Sequence, residues 1–339
     1  MEVLGLGLDL LVLFVGFGFM VGVFFGFFGM GGSFLVTPAL LILGYPAPVA
    51  IGSSMAFVFG TAVIATMKHH DVGSVDYKLG ALMFVGIAVG IEVGKYGVLA
   101  LDALGQAELV VGTVYVLLLA AIGGLFVRSA LRQDADDGGE TDPDDIPEIA
   151  KRIKSYNIPP MVTLTDGSKA SMWTISGVGG GVGVVSGFLG VGGGFIRMPA
   201  IYYLSCVPLA AAVGTSLFGA LMSGAVGAFS YGLDGVVDLG VVTAVLAGSA
   251  LGARIGSAST AYVDEADVTI YFGIMLLLAS AAVAFGELAN WLAMPILDTV
   301  SFVLLVGSSA FVTVVIFYYG AQAIREGGSS PTASPGGND

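Results

Sequence analysis

The chain is 339 residues long, 56% hydrophobic and only 11% charged, with a mean hydropathy of +0.94; soluble domains carry about 25% charged residues, which excludes a water-facing globule and predicts a polytopic membrane protein. A net charge of −13 excludes nucleic acid as a partner, because a phosphate backbone calls for a basic surface. Cys206 is the sole cysteine, so no internal disulfide forms and a cysteine-held metal site is not expected.

Residues 8–28 form an apolar run of the length a bilayer crossing needs, about 20 residues. The preceding residues lack the basic region and cleavage site of a removable signal peptide, so a retained first helix is expected. The run closes on Gly26-Phe27-Phe28-Gly29-Met30-Gly31-Gly32-Ser33. Clustered glycines break a helix in lipid and leave backbone N–H groups free. The apolar piece that follows, 34–43, rises only about 15 Å as a helix, half the hydrocarbon thickness, and ends at the turn signal Gly44-Tyr45-Pro46. Spans predicted at 49–67, 77–96 and 107–127 complete a first transmembrane repeat, residues 1–127.

A hydrophilic connector, 128–170, carries the acidic residues Asp134, Asp136, Asp137, Glu140, Asp142, Asp144, Asp145 and Glu148 and reads as a solvated loop. A second repeat, 171–286, has spans predicted at 172–189, 207–231, 236–255 and 268–285, with a short piece at 195–205. The region 287–322 adds one further span, 300–319, without a counterpart in the first half. The Gly/Ser/Pro-rich tail, 323–339, is expected to be disordered.

The two halves match motif by motif and in order. Gly26-Phe27-Phe28-Gly29-Met30-Gly31-Gly32-Ser33 returns as Gly187-Phe188-Leu189-Gly190-Val191-Gly192-Gly193-Gly194. Pro38-Ala39 returns as Pro199-Ala200, Gly52-Ser53-Ser54 as Gly214-Thr215-Ser216, and Gly73-Ser74-Val75-Asp76 as Gly235-Val236-Val237-Asp238. Gly86, Gly90 and Gly94 align with Gly248, Gly252 and Gly256. Such order-preserving matches mark a duplication. Basic residues predict cytoplasmic placement for the 68–76 loop and the 128–170 connector in the cell membrane. If each short piece completes a crossing, the halves are inverted and Arg254 and Arg325 join that face; a re-entrant piece makes them parallel. Inverted repeats are the expectation.

The duplicated Gly-rich break with its downstream proline, the later Gly-Ser-Ser and Gly-Thr-Ser, and the His-containing loop ending in Val75-Asp76 resemble the sulfite exporter TauE/SafE family of membrane permeases. The resemblance covers roughly 22–97 and 183–256. It implies a secondary carrier of sulfur-containing oxyanions such as sulfite or organosulfonates, with the bilayer as surroundings and a coupling ion, proton or sodium, as a candidate partner. Substrate identity within that class, direction and oligomeric state stay open.

The residues themselves suit an anion. Paired breaks in two repeats point to a midplane site, where Gly29, Gly31, Gly32 and Ser33 face Gly190, Gly192, Gly193 and Gly194 and can offer backbone N–H groups as a nest. Ser53, Ser54, Thr215 and Ser216 add hydroxyls near helix starts. The plainer reading makes the glycines a device for close helix packing and the hydroxyls partners of nearby carbonyls. Arg197 stands in an apolar segment where the other repeat has Val36, and a guanidinium there should face a cavity, a partner or the headgroups; its fork of donors suits an oxyanion. Glu92 and Arg254, at equivalent positions, and the adjacent His69 and His70 are read as interfacial or loop residues. Gly177-Val178-Gly179-Gly180-Gly181 is not a dinucleotide fingerprint, lacking its strand-turn-helix setting, and is read as close helix packing. No nucleophile-base-acid set, metal-ligand cluster or cofactor motif is present, so no enzyme is expected. A passive anion channel or a non-transporting scaffold is the alternative to a carrier.

Overall fold

The computed structural model describes residues 2–3, 6–28, 32–71, 75–133, 159–163, 169–205, 209–259, 265–292 and 294–325. The protein is an all-α polytopic membrane protein. The helices are α1 Leu8–Phe28, α2 Val36–Ile42 after a 3-10 turn at Gly32–Leu35, α3 Ala47–Asp71, α4 Tyr77–Ala103, α5 Ala107–Gln133, α6 Met172–Leu189, α7 Gly194–Ser205, α8 Leu209–Leu233, α9 Leu239–Ser259, α10 Glu265–Leu292 and α11 Pro295–Arg325. Among the described residues nine of them, all but α2 and α7, are long and apolar enough to cross a membrane. Two short hairpins, Glu2–Val3 with Leu6–Gly7 and Met161–Thr163 with Lys169–Ser171, flank α1 and α6.

Several helices outrun their predicted spans: α4 reaches Ala103, α5 reaches Gln133, α10 runs past residue 286 to Leu292, and α11 begins at Pro295. Hydropathy marks only the lipid-embedded part of a helix, whereas hydrogen bonding continues until a cap or turn stops it. Asp76 starts α4, its carboxylate accepting from the N–H groups of Lys78 and Leu79, and Pro295 opens α11 where its missing N–H costs nothing. Gly190 ends α6 with φ +76, a left-handed cap whose N–H returns to the carbonyl of Ser186.

Four helices pack backbone against backbone. A Cβ added at Gly18, Gly22 or Gly26 of α1 would meet the carbonyl oxygens of Val245, Ser249 and Ala253 of α9 at 2.2, 2.4 and 2.2 Å. From the other side, Gly248, Gly252 and Gly256 face Val15, Phe19 and Val23 at 2.0, 2.0 and 2.2 Å. The pairing recurs between α4 and α6. Gly86, Gly90 and Gly94 face Ser176, Gly180 and Val184, while Gly179, Gly183 and Gly187 face Met83, Ile87 and Ile91. In lipid no hydrophobic drive joins helices, so close van der Waals packing across small residues supplies the association. Within the run 177–181, Gly179 sits in this seam, whereas Gly177 and Gly181 have nothing within 4 Å of an added Cβ.

The order of these contacts reads out direction. Partner numbers rise together in both glycine seams, so α1 runs with α9 and α4 with α6. Met55 and Phe59 of α3 oppose Gly227 and Gly224 of α8, and Ser280 and Gly273 of α10 oppose Val116 and Val127 of α5; both pairs are antiparallel. The turn at 234–238 reverses α8 into α9, so α1 and α3 point the same way, and Gly80 and Lys95 of α4 meet Phe218 and Ser230 of α8 in rising order, so α4 runs with α8. The chain between Phe28 and Ala47 therefore returns to the face where α1 began, and the Phe14 and Tyr45 rings meet there at 6.2 Å.

Candidate functional site

The second glycine break is held by hydroxyls. Tyr231 donates to the carbonyl of Gly187 at 2.7 Å, and Tyr115 donates to that of Leu189. Thr37 Oγ1 on α2 lies 2.9 Å from the same Leu189 oxygen and 2.8 Å from Ser54 Oγ. The carbonyls freed at the end of α6 thus find partners inside the protein, as a break in lipid demands. Gly190 and Gly192 rest against Ile51 and Val58 of α3, in the opposite half.

Arg197 enters this region from α7 and is 0% exposed. Its Nη1 donates to the carbonyl of Ser216 at 3.0 Å and its Nη2 to that of Gly192 at 3.0 Å, with Ser223 Oγ at 3.3 Å. Ser216 in turn donates to the carbonyl of Gly194 at 3.2 Å. None of these partners of Arg197 carries charge. Its Nε is left without a hydrogen-bond partner, as is the nearby buried Ser186 Oγ. Both Ser186 Oγ and Arg197 Nη2 flank Gly193, standing 2.6 and 3.3 Å from where its Cβ would be. A buried cation whose partners among the described residues are all dipoles makes a positive region with a spare donor, which favours an anion.

Ser53 and Thr215 each reach across to the other half. Ser53 Oγ accepts from the N–H of Asp238 at 3.0 Å, and Thr215 Oγ1 accepts from the N–H of Asp76 at 2.9 Å. Each hydroxyl of one half braces the capping aspartate of the other. Asp76 and Asp238 themselves cap α4 and α9, Asp238 accepting from Val241 at 3.1 Å. Ser54 joins Thr37 at the second break, and Ser216 joins Arg197. Gly32 and Ser33 lie in the 3-10 turn leading into α2; Gly29 and Gly31 lie outside the described residues.

Aromatic rings gather where α1 ends and where the 3-10 turn begins. Phe28 and Phe34 pack on Phe272 of α10 at 4.1 and 5.9 Å, and Phe24 and Phe126 join the same ring. Beside it a cleft of about 170 Å³ opens between α1, α3, α8 and α9, lined among others by Phe25, Gly26, Thr61, Leu217, Ser249 and Arg254. Gly26 stands at the threshold of the first break, and Leu217 sits between Ser216 and Gly219, both of which touch Arg197. Among the described residues Arg254 is the one charged residue on the cleft wall. Its charge alone suggests a place at the membrane interface; its position between Gly252 and Gly256 sets it beside the seam of α1 and α9, where the cleft opens.

The family model for sulfite exporter TauE/SafE matches residues 14–283. The chain belongs to the TauE/SafE family. This TauE/SafE protein is similar to the probable membrane transporter protein YunE of Bacillus subtilis, at 25% identity over 79% of this chain and 94% of that one. It is similar also to a probable membrane transporter protein of Xylella fastidiosa, at 26% identity over 73% and 84% of the two chains. No solved structure matches it. Membership and these relatives make the TauE/SafE chain a multi-pass membrane transporter for a small molecule.

Proposed function

We propose that the protein is a secondary carrier of small sulfur-containing oxyanions, sulfite or organosulfonates, working by alternating access between two inverted repeats, residues 1–127 and 171–286. The observation that carries this reading is Arg197: a fully buried guanidinium with no charged partner among the described residues and an unused Nε, beside a broken helix. The anion would sit between the breaks, drawing on Arg197, Ser186 and the N–H groups of Gly192, Gly193 and Gly194 on one side and of Gly29, Gly31, Gly32 and Ser33 on the other, with Gly190 shaping the turn. Arg254 would draw it into the cleft.

Helix direction supports the inversion, since α3 and α5 run opposite to their counterparts α8 and α10. The same directions bring Lys78 at the start of α4, Arg128 on α5, Arg254 on α9 and Arg325 at the end of α11 to one face, which the distribution of basic residues assigns to the cytoplasm together with the 68–76 loop and the 128–170 connector. Purified protein in liposomes tests the proposal. Saturable uptake of labelled sulfite, accelerated by unlabelled sulfite on the opposite side, is expected of a carrier. Flux without counterflow would make it a channel, and no flux of sulfite or any sulfonate would discard the substrate class.

A further inference from the structure

The cleft beside the first break has a counterpart by repeat alignment, and that counterpart is shut. Phe25, Thr61, Leu217 and Ser257 line the open cleft; Ser186, Ser223, Met55 and Lys95 hold the aligned positions. Ser186, Ser223 and Met55 are 0% exposed and Lys95 is 6% exposed. The seal is a polar one. Lys95 Nζ on α4 ion-pairs with Asp234 in the turn after α8, and donates to both the carbonyl and the Oγ of Ser230 at 2.8 Å. The ring of Tyr231, 5.8 Å away, covers the ammonium group, while its hydroxyl holds the end of α6. The contact therefore ties α4 of the first half to α8 and α6 of the second. Ser257 aligns with Lys95 and Val72 with Asp234, so the pair has no equivalent at the open end.

We propose that Lys95 and Asp234 form the gate on the non-cytoplasmic face, closed in this structure while the opposite cleft is open, and that release of this pair exposes Ser186, Ser223 and thereby Arg197 to the outside. The inference rests on the carrier reading and adds the residues that switch it. Two inverted halves that trade conformations would open one end as they shut the other, and an ion pair whose aligned positions at the open end hold Ser257 and Val72 biases which state is populated. Lys95 is suited to this: its flexible stem releases a single point charge, whereas the buried partners Ser230 and Tyr231 stay with α8.

The test reads accessibility and needs no substrate. In a Cys206→Ser background, Ser186→Cys is treated with a membrane-impermeant maleimide from the outer face, and Ala253→Cys from the cytoplasmic face. With the gate intact, Ser186→Cys should be protected and Ala253→Cys labelled. Lys95→Ala should raise outer labelling on the order of tenfold and lower inner labelling. Asp234→Asn, in a partly exposed turn where folding is not at stake, should act in the same direction, and the exchange Lys95→Asp with Asp234→Lys should restore protection. Outer labelling unchanged in both single variants, or a double variant no better protected than either, would overturn the gate. The reciprocal labelling shift without sulfite flux would retain the gate and discard the substrate class alone.

Discussion

The glycine seam between α4 and α6 allows a test within a single helix. Gly179, Gly183 and Gly187 each face a backbone carbonyl of α4, with an added Cβ at 2.6, 2.4 and 2.3 Å, whereas Gly177 and Gly181 face nothing within 4 Å. Real Cβ atoms do not approach oxygen below 3.0 Å, so Gly183→Ala must push the helices apart by more than half an ångström. Backbone cannot yield as a side chain tip does, and overpacking of this kind costs about 1–3 kcal/mol. Against it stands the gain in helix propensity from glycine to alanine, about 1 kcal/mol. The seam variants should therefore lose up to about 2 kcal/mol relative to the parent, and Gly177→Ala and Gly181→Ala should gain up to about 1. Thermal unfolding in detergent, followed by size-exclusion recovery after heating, ranks all five variants side by side. Equal stability of Gly183→Ala and Gly177→Ala would refute the claim that backbone contact holds these helices together.

Three further outcomes are expected. Arg197→Ala should weaken sulfite binding about 10–100-fold, the worth of a charged hydrogen bond, with Arg197→Lys failing to restore it because a point charge cannot hold the carbonyls of Ser216 and Gly192 while serving an anion; equilibrium binding to the detergent-purified protein measures both. Ser53→Ala and Thr215→Val should each cost about 1 kcal/mol through the freed N–H groups of Asp238 and Asp76, seen as lower melting temperatures with unchanged anion affinity. Arg254→Gln should slow sulfite uptake at low ionic strength and converge with the parent at high salt, since an exposed charge at a cleft mouth is screened; initial rates across a salt series check this.

Sequence alone carried the fold far because its signals are periodic. The bounds of α1 and α6 follow from apolar length, and the four-residue spacing of Gly86, Gly90 and Gly94 prints the seam directly. The short hairpins at Glu2–Val3 and Met161–Thr163 have too few residues to show alternation. The site was legible only in part. A hydroxyl near a helix start looks the same whether it serves a ligand or a cap, and the partners of Ser53 and Thr215 lie 185 and 139 residues away. Thr37, Tyr115, Tyr231 and Ser186 are ordinary residues for a membrane helix and carried no signal. Lys95 did carry one: a lone lysine directly after Gly94 in an apolar span has to find a partner.

The crossed pairing of α1 with α9 and α4 with α6 also governs how the molecule comes into being. Ribosomal synthesis delivers α1 and α4 long before their mates, so both enter the bilayer with bare glycine faces and wait there. Assembly finishes only once α9 has been threaded in, and a chain terminated in the 128–170 connector would leave every seam unmade. For the same reason the two halves supplied as separate polypeptides should find each other, each holding the missing face of the other.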